Sequence, residues 1–301
     1  MIRQHDGELA RIPLDDISVL LLSNRSCSLS NGLLVELAVR NIATVMCDNR
    51  FSPVGWVWPL SGHHHQAKRM LAQTSAPVPL SKRIWQQLIQ SKIRHQAEVL
   101  NTFGVDATQV ESLAKLVKSG DPNNVEAQAA RLYWPLLMGI KFRRDRFGDW
   151  PNAALNYGYT ILRSCAAREL VAAGLHPTIG IHHHNRSDHL ALADDLMEPF
   201  RPLVDLITRT QMDNGVDSLS AITKQRIAAV LETRMNTEDG TTPVHSAIRR
   251  AAQSLAISFE EKQRQLILPR QISPVSWETY QDDSEPTNAF QLPSNVDDGS
   301  F

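Results

Sequence analysis

The chemistry in this sequence concentrates in two neighbouring stretches. Gly180-Ile181-His182-His183-His184-Asn185-Arg186 is a polar histidine turn, and the apolar run from Leu190 to Pro202 carries Asp194, Asp195 and Glu198. Asp194 and Glu198 stand at i, i+4 and Asp195 and Glu198 at i, i+3, so a helix brings their carboxylates onto one face. Like charges at that spacing repel, and something cationic must offset them. Arg201, at i+3 from Glu198, is one candidate; a divalent cation held jointly with a histidine is another. A further acid, Glu126, lies in the first turn of an expected helix, where the helix dipole alone favours a carboxylate. Ala127, Ala129 and Ala130 around it allow close packing, so that carboxylate points into a crowded interior and needs a partner.

Two carboxylates and one imidazole form a mixed oxygen and nitrogen donor set. It suits Mg²⁺ or Mn²⁺ with open positions for water and phosphate oxygens, whereas more His or Cys would favour zinc. A cation so held acts as a Lewis acid on a phosphodiester and orients the attacking oxygen. The sequence shows no Ser/His/Asp or Cys/His arrangement, and no paired Glu-x-x-His helices of a di-metal oxygenase. Spacing alone leaves a helix-start acid, a carboxylate–arginine pair and a metal site all open.

The elements that must position these residues fall into two parts. Residues 1–60 read as a small β-rich domain: Ile17 to Leu22 and Ala43 to Cys47 are short apolar, β-branched runs, Leu33 to Val39 lies between them as a short helix, and Trp56-Val57-Trp58 is a further strand. Residues 61–81 read as a linker, because Ser61, Gly62, Pro77 and Pro79 break any long element. Its His63-His64-His65 triplet is expected to be solvated. From residue 82 to 272 the apolar period becomes helical, beginning with Ile84, Trp85, Leu88, Ile89 and Ile93. Further helices are expected at 109–118, 125–138, 152–173, 190–210, 218–234 and 244–259. Residues 273–301 read as a mobile acidic tail. The fold class is therefore α+β, a small N-terminal β-rich domain followed by a larger all-helical domain. A net charge of −1 and 21% charged residues describe a globular chain, with no apolar run long enough to span a membrane. Three cysteines without a CxxC pair fit a reducing cytoplasm.

The motifs taken together resemble the CRISPR-associated integrase, the universal endonuclease subunit of the adaptation module. The matching pieces are Asn124-Val125-Glu126-Ala127 with Ala130-Arg131-Leu132-Tyr133-Trp134; Leu155-Asn156-Tyr157-Gly158-Tyr159; Gly174-Leu175 with Gly180-Ile181-His182-His183; and Asp195-Leu196-Met197-Glu198-Pro199-Phe200-Arg201-Pro202. Trp85, Lys92-Ile93, Gln96-Ala97 and the doubled histidine resemble the type II version. These pieces run in the family's order through most of residues 8–270.

The resemblance places the three metal ligands on Glu126, His183 and Glu198, with Asp195 as a nearby acid and His182, His184 and His189 as neighbours. It implies a β-domain joined by a linker to a helical metal-binding domain. It also implies a homodimer, and a heterohexamer in which a small partner-subunit dimer bridges two integrase dimers. The implied substrate is duplex DNA, whose 3′-OH ends are joined into a repeat array. The family has an earlier strand pair ahead of the stretch resembling Ile2-Arg3-Gln4, so the N-terminal domain is expected to be shortened. Phosphate-facing cations are expected among Lys68, Arg69, Lys82, Arg83, Lys141, Arg143, Arg144, Arg146, Arg163 and Arg201, above all in the 141–146 loop. Tyr157 or Tyr159 would stack on a base or pack in the core. A non-catalytic metal- or DNA-binding adaptor built on the histidine cluster is the alternative reading.

Overall fold

The computed structural model describes residues 2–4, 7–17, 19–22, 24, 26–40, 42–47, 53–57, 65–183 and 189–273. His63, His64, Trp58, His184, Arg186 and the tail beyond Ser273 lie outside them.

The N-terminal part is β-rich, as its patterning predicts. Strands β1 (Ile2–Gln4) and β2 (Gly7–Ala10) pair antiparallel. A second, three-stranded sheet sets β4 (Ala43–Cys47) parallel to β3 (Val19–Leu22) and antiparallel to β5 (Pro53–Val57). The parallel pair needs a crossover, and helix α1 (Asn31–Val39) supplies it, capped by Ser30 Oγ accepting from Leu33 N at 3.2 Å.

The stretch read as a linker is more structured than its breakers suggest. Helix α2 (Gln66–Thr74) lies within it and is docked on the helical body: Arg69 donates to the Ala173 carbonyl at 2.9 Å, and Gln73 donates to the carbonyls of His176 and Ile179 at 2.9 Å each. Pro77 and Pro79 start the next helix rather than breaking one. A proline in the first turn gives up an amide that has no intrahelical partner anyway. Helix α3 (Val78–Thr102) therefore begins ahead of residue 82.

Helix α3 is the spine of the molecule. Leu80, Ile84, Leu88, Ile89, Ile93 and Leu100 are fully buried, and α4 (Thr108–Ala114), α5 (Val125–Met138) and α8 (Arg201–Asp213) pack on it. Helix α6 (Asn152–Ala172) joins this body to the N-terminal sheet and to α7 (Ala191–Met197).

Four expectations shift. The single helix expected over 190–210 is split, with a 3-10 turn at Glu198–Phe200 between α7 and α8. Pro199 and Pro202 lack the amides that a continuous helix would use there. Helix α4 ends at Ala114, short of Lys118. The helix expected to run to Arg234 stops earlier: α9 (Ala221–Ala228) is followed by the hairpin β6 (Arg234–Thr237) and β7 (Gly240–Pro243), turning at Glu238-Asp239, with Gly240 at φ 114° opening β7. Strand β8 (Gln271–Ile272) joins β6, so the larger part is mostly rather than wholly helical. Helix α10 (Val244–Glu261) completes the core.

Candidate metal centre

Glu126 is fixed by the way α5 starts. The buried Asp121 carboxylate accepts from Val125 N at 2.9 Å and Glu126 N at 3.0 Å, and Asn124 Oδ1 accepts from Ala127 N. These are the first amides of the helix, which have no intrahelical acceptor. The Glu126 side chain, 27% exposed, turns toward α3. There Lys92 Nζ donates to its Oε1 at 2.5 Å.

The same ammonium lies 2.5 Å from Glu198 Oε2. This buried oxygen therefore has a cation directly beside it. The other oxygen, Oε1, accepts from Arg201 Nη1 at 2.7 Å. Burial alone would push the Glu198 carboxyl up, but Arg201 and Lys92 outweigh it and hold it at about 2. Burial likewise opposes the charge on Lys92, yet Glu198 and Glu126 keep its pKa above the ordinary lysine value. The 198–200 turn is tied to the spine by His95, whose Nδ1 donates to the Pro199 carbonyl at 2.6 Å. Burial lowers His95 to about 4, so that ring stays neutral.

His183 belongs to a second cluster. Asp195 on α7 is fully buried and organises the histidine turn. Its Oδ2 accepts from Ile181 N at 2.5 Å and His182 N at 3.0 Å; its Oδ1 accepts from His183 N at 3.3 Å and faces His183 Nδ1 at 2.6 Å. Gly180 is required here, because a Cβ would come within 2.4 Å of the His183 carbonyl oxygen. Trp85 on α3 stacks on His182 with ring centroids 4.1 Å apart and meets His183 edge-on at 5.6 Å. With Nδ1 committed to Asp195, the neutral ring presents Nε2 as its lone-pair nitrogen. The bond to Asp195 is the main cause that raises His183 to about 9, against burial. A cavity of about 670 Å³ opens beside this turn, lined by Lys82, Trp85, His182 and His183 among others.

Glu126 and Glu198 thus converge on Lys92, while His183 is held on Asp195. Among the described residues no three His, Cys, Asp or Glu side chains stand close enough to hold a metal ion by themselves. The donor set nevertheless fits a hard divalent cation, because it offers two carboxylates facing one cation and an imidazole whose Nδ1 is held by Asp195. Sequence reasoning missed the position of Lys92. Its signal was a lysine on the buried stripe of α3 between Ile89 and Ile93, where an ammonium must find a carboxylate.

The sequence matches the profile of the family "CRISPR associated protein Cas1" over residues 1–237. The chain belongs to the Cas1 family. It is 35% identical over 286 residues to the CRISPR-associated endonuclease Cas1 of Neisseria meningitidis serogroup C, covering 93% of each chain. A Cas1 endonuclease of Pyrobaculum aerophilum is 29% identical over 263 residues, covering 81% of this chain and 88% of that one. Among solved structures, a casposase bound to integration product shares the fold with a TM-score of 0.73 at 20% identity, over 91% of this chain and 84% of the other. The Cas1 protein of Thermotoga maritima does so with a TM-score of 0.67 at 16% identity, over 88% and 93% of the two chains.

In this Cas1-family chain the expected DNA-facing cations divide into two groups. Arg163 is committed to Asp194 through two bonds of 2.6 and 2.5 Å, and Arg201 to Glu198, with its guanidinium 4.2 Å from the Tyr159 ring centroid. Arg144 turns inward to Asn152 Oδ1 at 3.0 Å and Asn156 Oδ1 at 2.6 Å. Lys68 and Arg69 pair with Glu260 on α10 at 3.0 and 3.3 Å. Lys141, Arg143 and Arg146 are exposed on the loop between α5 and α6, and Lys82 and Arg83 are exposed near the start of α3. Tyr159 packs in the core and donates to Asp205 at 2.5 Å, and Tyr133 donates to the other Asp205 oxygen at 3.0 Å. Burial raises Asp205 to about 6 against these two bonds. No described helix is long and apolar enough to cross a membrane.

Proposed function

We propose that this chain is the integrase of CRISPR spacer acquisition, a metal-dependent DNA nuclease and transesterase that joins the 3′-OH ends of a short duplex into a CRISPR repeat. The observation that carries this reading is the convergence of two carboxylates, Glu126 from the first turn of α5 and Glu198 from the 198–200 turn, in a chain whose curated relatives are named endonucleases. Glu126, Glu198 and His183 Nε2 are the donors. Mg²⁺ or Mn²⁺ held there supplies Lewis-acid polarisation of the phosphodiester. Asp195 holds the His183 ring and its Nδ1 proton. Arg201 and Lys92 keep Glu198 ionised at neutral pH, and the exposed Lys141, Arg143 and Arg146 hold the DNA backbone.

In this reading residues 1–60 form the β-rich domain that makes the dimer contact, the stretch through α2 connects it to a mostly helical catalytic domain that opens with α3 at Val78, and 273–301 form an acidic tail. The assembly is a homodimer, paired through a small partner-subunit dimer into a heterohexamer acting in the cytoplasm. A Cas6-RT-Cas1–Cas2 complex among the solved structures, with a TM-score of 0.70 over 88% of this chain and 33% of that one, supports a Cas2-like partner. The Neisseria relative, with Trp85, Lys92-Ile93 and Gln96, supports a type II-like system.

The test is Mn²⁺-dependent joining of an oligonucleotide into a repeat-bearing plasmid. His183→Ala is expected to lower joining about 100-fold. Unchanged joining would sink the site assignment.

A pH dependence accompanies it. His183 is raised to about 9 in the metal-free protein, above its ordinary 6.5, so Nε2 carries a proton at neutral pH and must release it to serve as a donor. Mn²⁺ affinity measured by calorimetry is therefore expected to rise by up to about tenfold per pH unit between 6.5 and 9, and to level off above. The stability that the imidazolium adds to the metal-free protein runs the other way. It is present in full below pH 6.5 and is lost as pH rises through about 9. A flat Mn²⁺ affinity across that window would contradict the role given to Nε2.

A further inference from the structure

The Lys92 ammonium stands between the two carboxylates assigned above as metal ligands. It sits deep on α3, 9% exposed, with Leu88, Ile89 and Ile93 fully buried around its stem. Its Nζ lies 2.5 Å from Glu126 Oε1 and 2.5 Å from Glu198 Oε2. A divalent cation taking one oxygen from each carboxylate would need bond lengths of about 2.0–2.2 Å, which puts it in the same volume. Two positive charges cannot share that space in a buried site without strong repulsion. A buried Glu198 facing the half-buried Glu126 with no cation between them is unfavourable as well.

We infer that Lys92 is a positioning residue that occupies the metal's place in the metal-free protein, holding Glu126 and Glu198 facing one another and yielding that place when the divalent cation binds. The inference rests on the reading of Glu126 and Glu198 as metal ligands. The geometry of Glu198 supports it independently. Arg201 already gives Oε1 a hydrogen bond at 2.7 Å, so the place beside Oε2, where Lys92 Nζ stands at 2.5 Å, is the one a second cation would take. That contact is an ion pair between a lysine and a carboxylate oxygen, which another cation can replace. Lysine suits such exchange, because its point charge sits on a stem of rotatable bonds and can retract, unlike a guanidinium fork.

The sign of the effect separates this role from a structural one. Damage to the fold would weaken metal binding. Removal of a competing cation strengthens it. Lys92→Gln and Lys92→Met are expected to melt several degrees lower than the wild type in chelator. They are expected to gain more from Mn²⁺ than the wild type gains, and to bind Mn²⁺ about tenfold or more tightly by calorimetry, at pH 7.5 on the full chain. Lys92→Arg, which keeps the charge, is expected to bind no more tightly than the wild type. If Lys92→Met is recovered folded only with Mn²⁺ present, that rescue supports the inference, and Lys92→Gln supplies the affinity. Equal or weaker Mn²⁺ binding by a folded Lys92→Gln overturns it. Glu198→Gln is the control for the site. If it abolishes Mn²⁺ binding while Lys92→Gln leaves affinity unchanged, the Lys92 inference alone fails. If it leaves Mn²⁺ binding intact, the site assignment fails and the inference with it.

Discussion

Glu198→Gln is expected to lower strand joining by roughly three orders of magnitude, the scale of losing several kcal/mol of charge stabilisation at the reacting phosphate. The substitution keeps shape and volume and removes one buried negative charge. That charge balances Arg201 at 2.7 Å and Lys92 at 2.5 Å, and its side chain is 2% exposed. Without it Lys92 retains Glu126 alone, and Arg201 retains the face of Tyr159. A depression from 4.5 to about 2 corresponds to roughly 3 kcal/mol of stability, the order found when a buried pair loses one member. The sign follows from the direction of the shift. A carboxylate whose folded pKa is lowered contributes above its unfolded value and loses that contribution as pH falls from about 4.5 toward 2. Urea denaturation is therefore expected to show the variant less stable than the wild type at pH 7, with the gap closing on acidification. An equal gap at both ends would mean that the loss comes from packing and not from charge.

How much of this was legible in the sequence depends on whether a feature is local. The helix bearing Glu126 announces itself through Gly120-Asp121-Pro122-Asn123-Asn124, because stop and cap chemistry is written within a few residues, and α5 spans Val125–Met138 as that signal predicts. The strand, helix, strand order of the N-terminal part was equally local. Pro77 and Pro79 misled because proline breaks a helix interior and starts a helix N-terminus, and only the packing of α3 decides which. The fold around Pro199 was misjudged for the converse reason. The apolar period from Leu190 to Thr210 continues across a break in the backbone hydrogen bonds. At the site, residue types and spacing named the carboxylates, but no local pattern could place Lys92 between them. Glu126, Lys92 and Glu198 come from three separate segments, and only the crossing of α3 with α5 and the 198–200 turn brings them together. Several of the expected DNA-facing arginines meet internal partners in the same way. A charge on a helix face reads as solvated until an acid such as Asp194 is found opposite it, and Arg163 has one.

Asp195→Asn tests the histidine half of the site by a single atom. Each Asp195 oxygen accepts from two donors: Oδ2 from the Ile181 and His182 amides, Oδ1 from the His183 amide and ring. An amide can present an oxygen to only one of these pairs. Whichever way it turns, its NH₂ faces two donors, in a position with no access to water. Two donors left without acceptors in this half-buried turn cost about 1–3 kcal/mol, which urea denaturation at pH 7 is expected to show. The turn can recover one bond if the His183 ring places its lone pair on Nδ1 to accept from the new NH₂. That rearrangement puts the proton on Nε2, the nitrogen assigned to the metal. Mn²⁺ affinity is accordingly expected to fall about 10–100-fold even in the fraction that folds. The His183 titration followed by NMR is expected to move from about 9 down toward 6.5, since the bond to Asp195 is the main cause of its elevation. A folded Asp195→Asn with an unmoved His183 titration and full joining activity would show that the ring is oriented by Trp85, whose edge it meets at 5.6 Å, and not by the carboxylate beneath it.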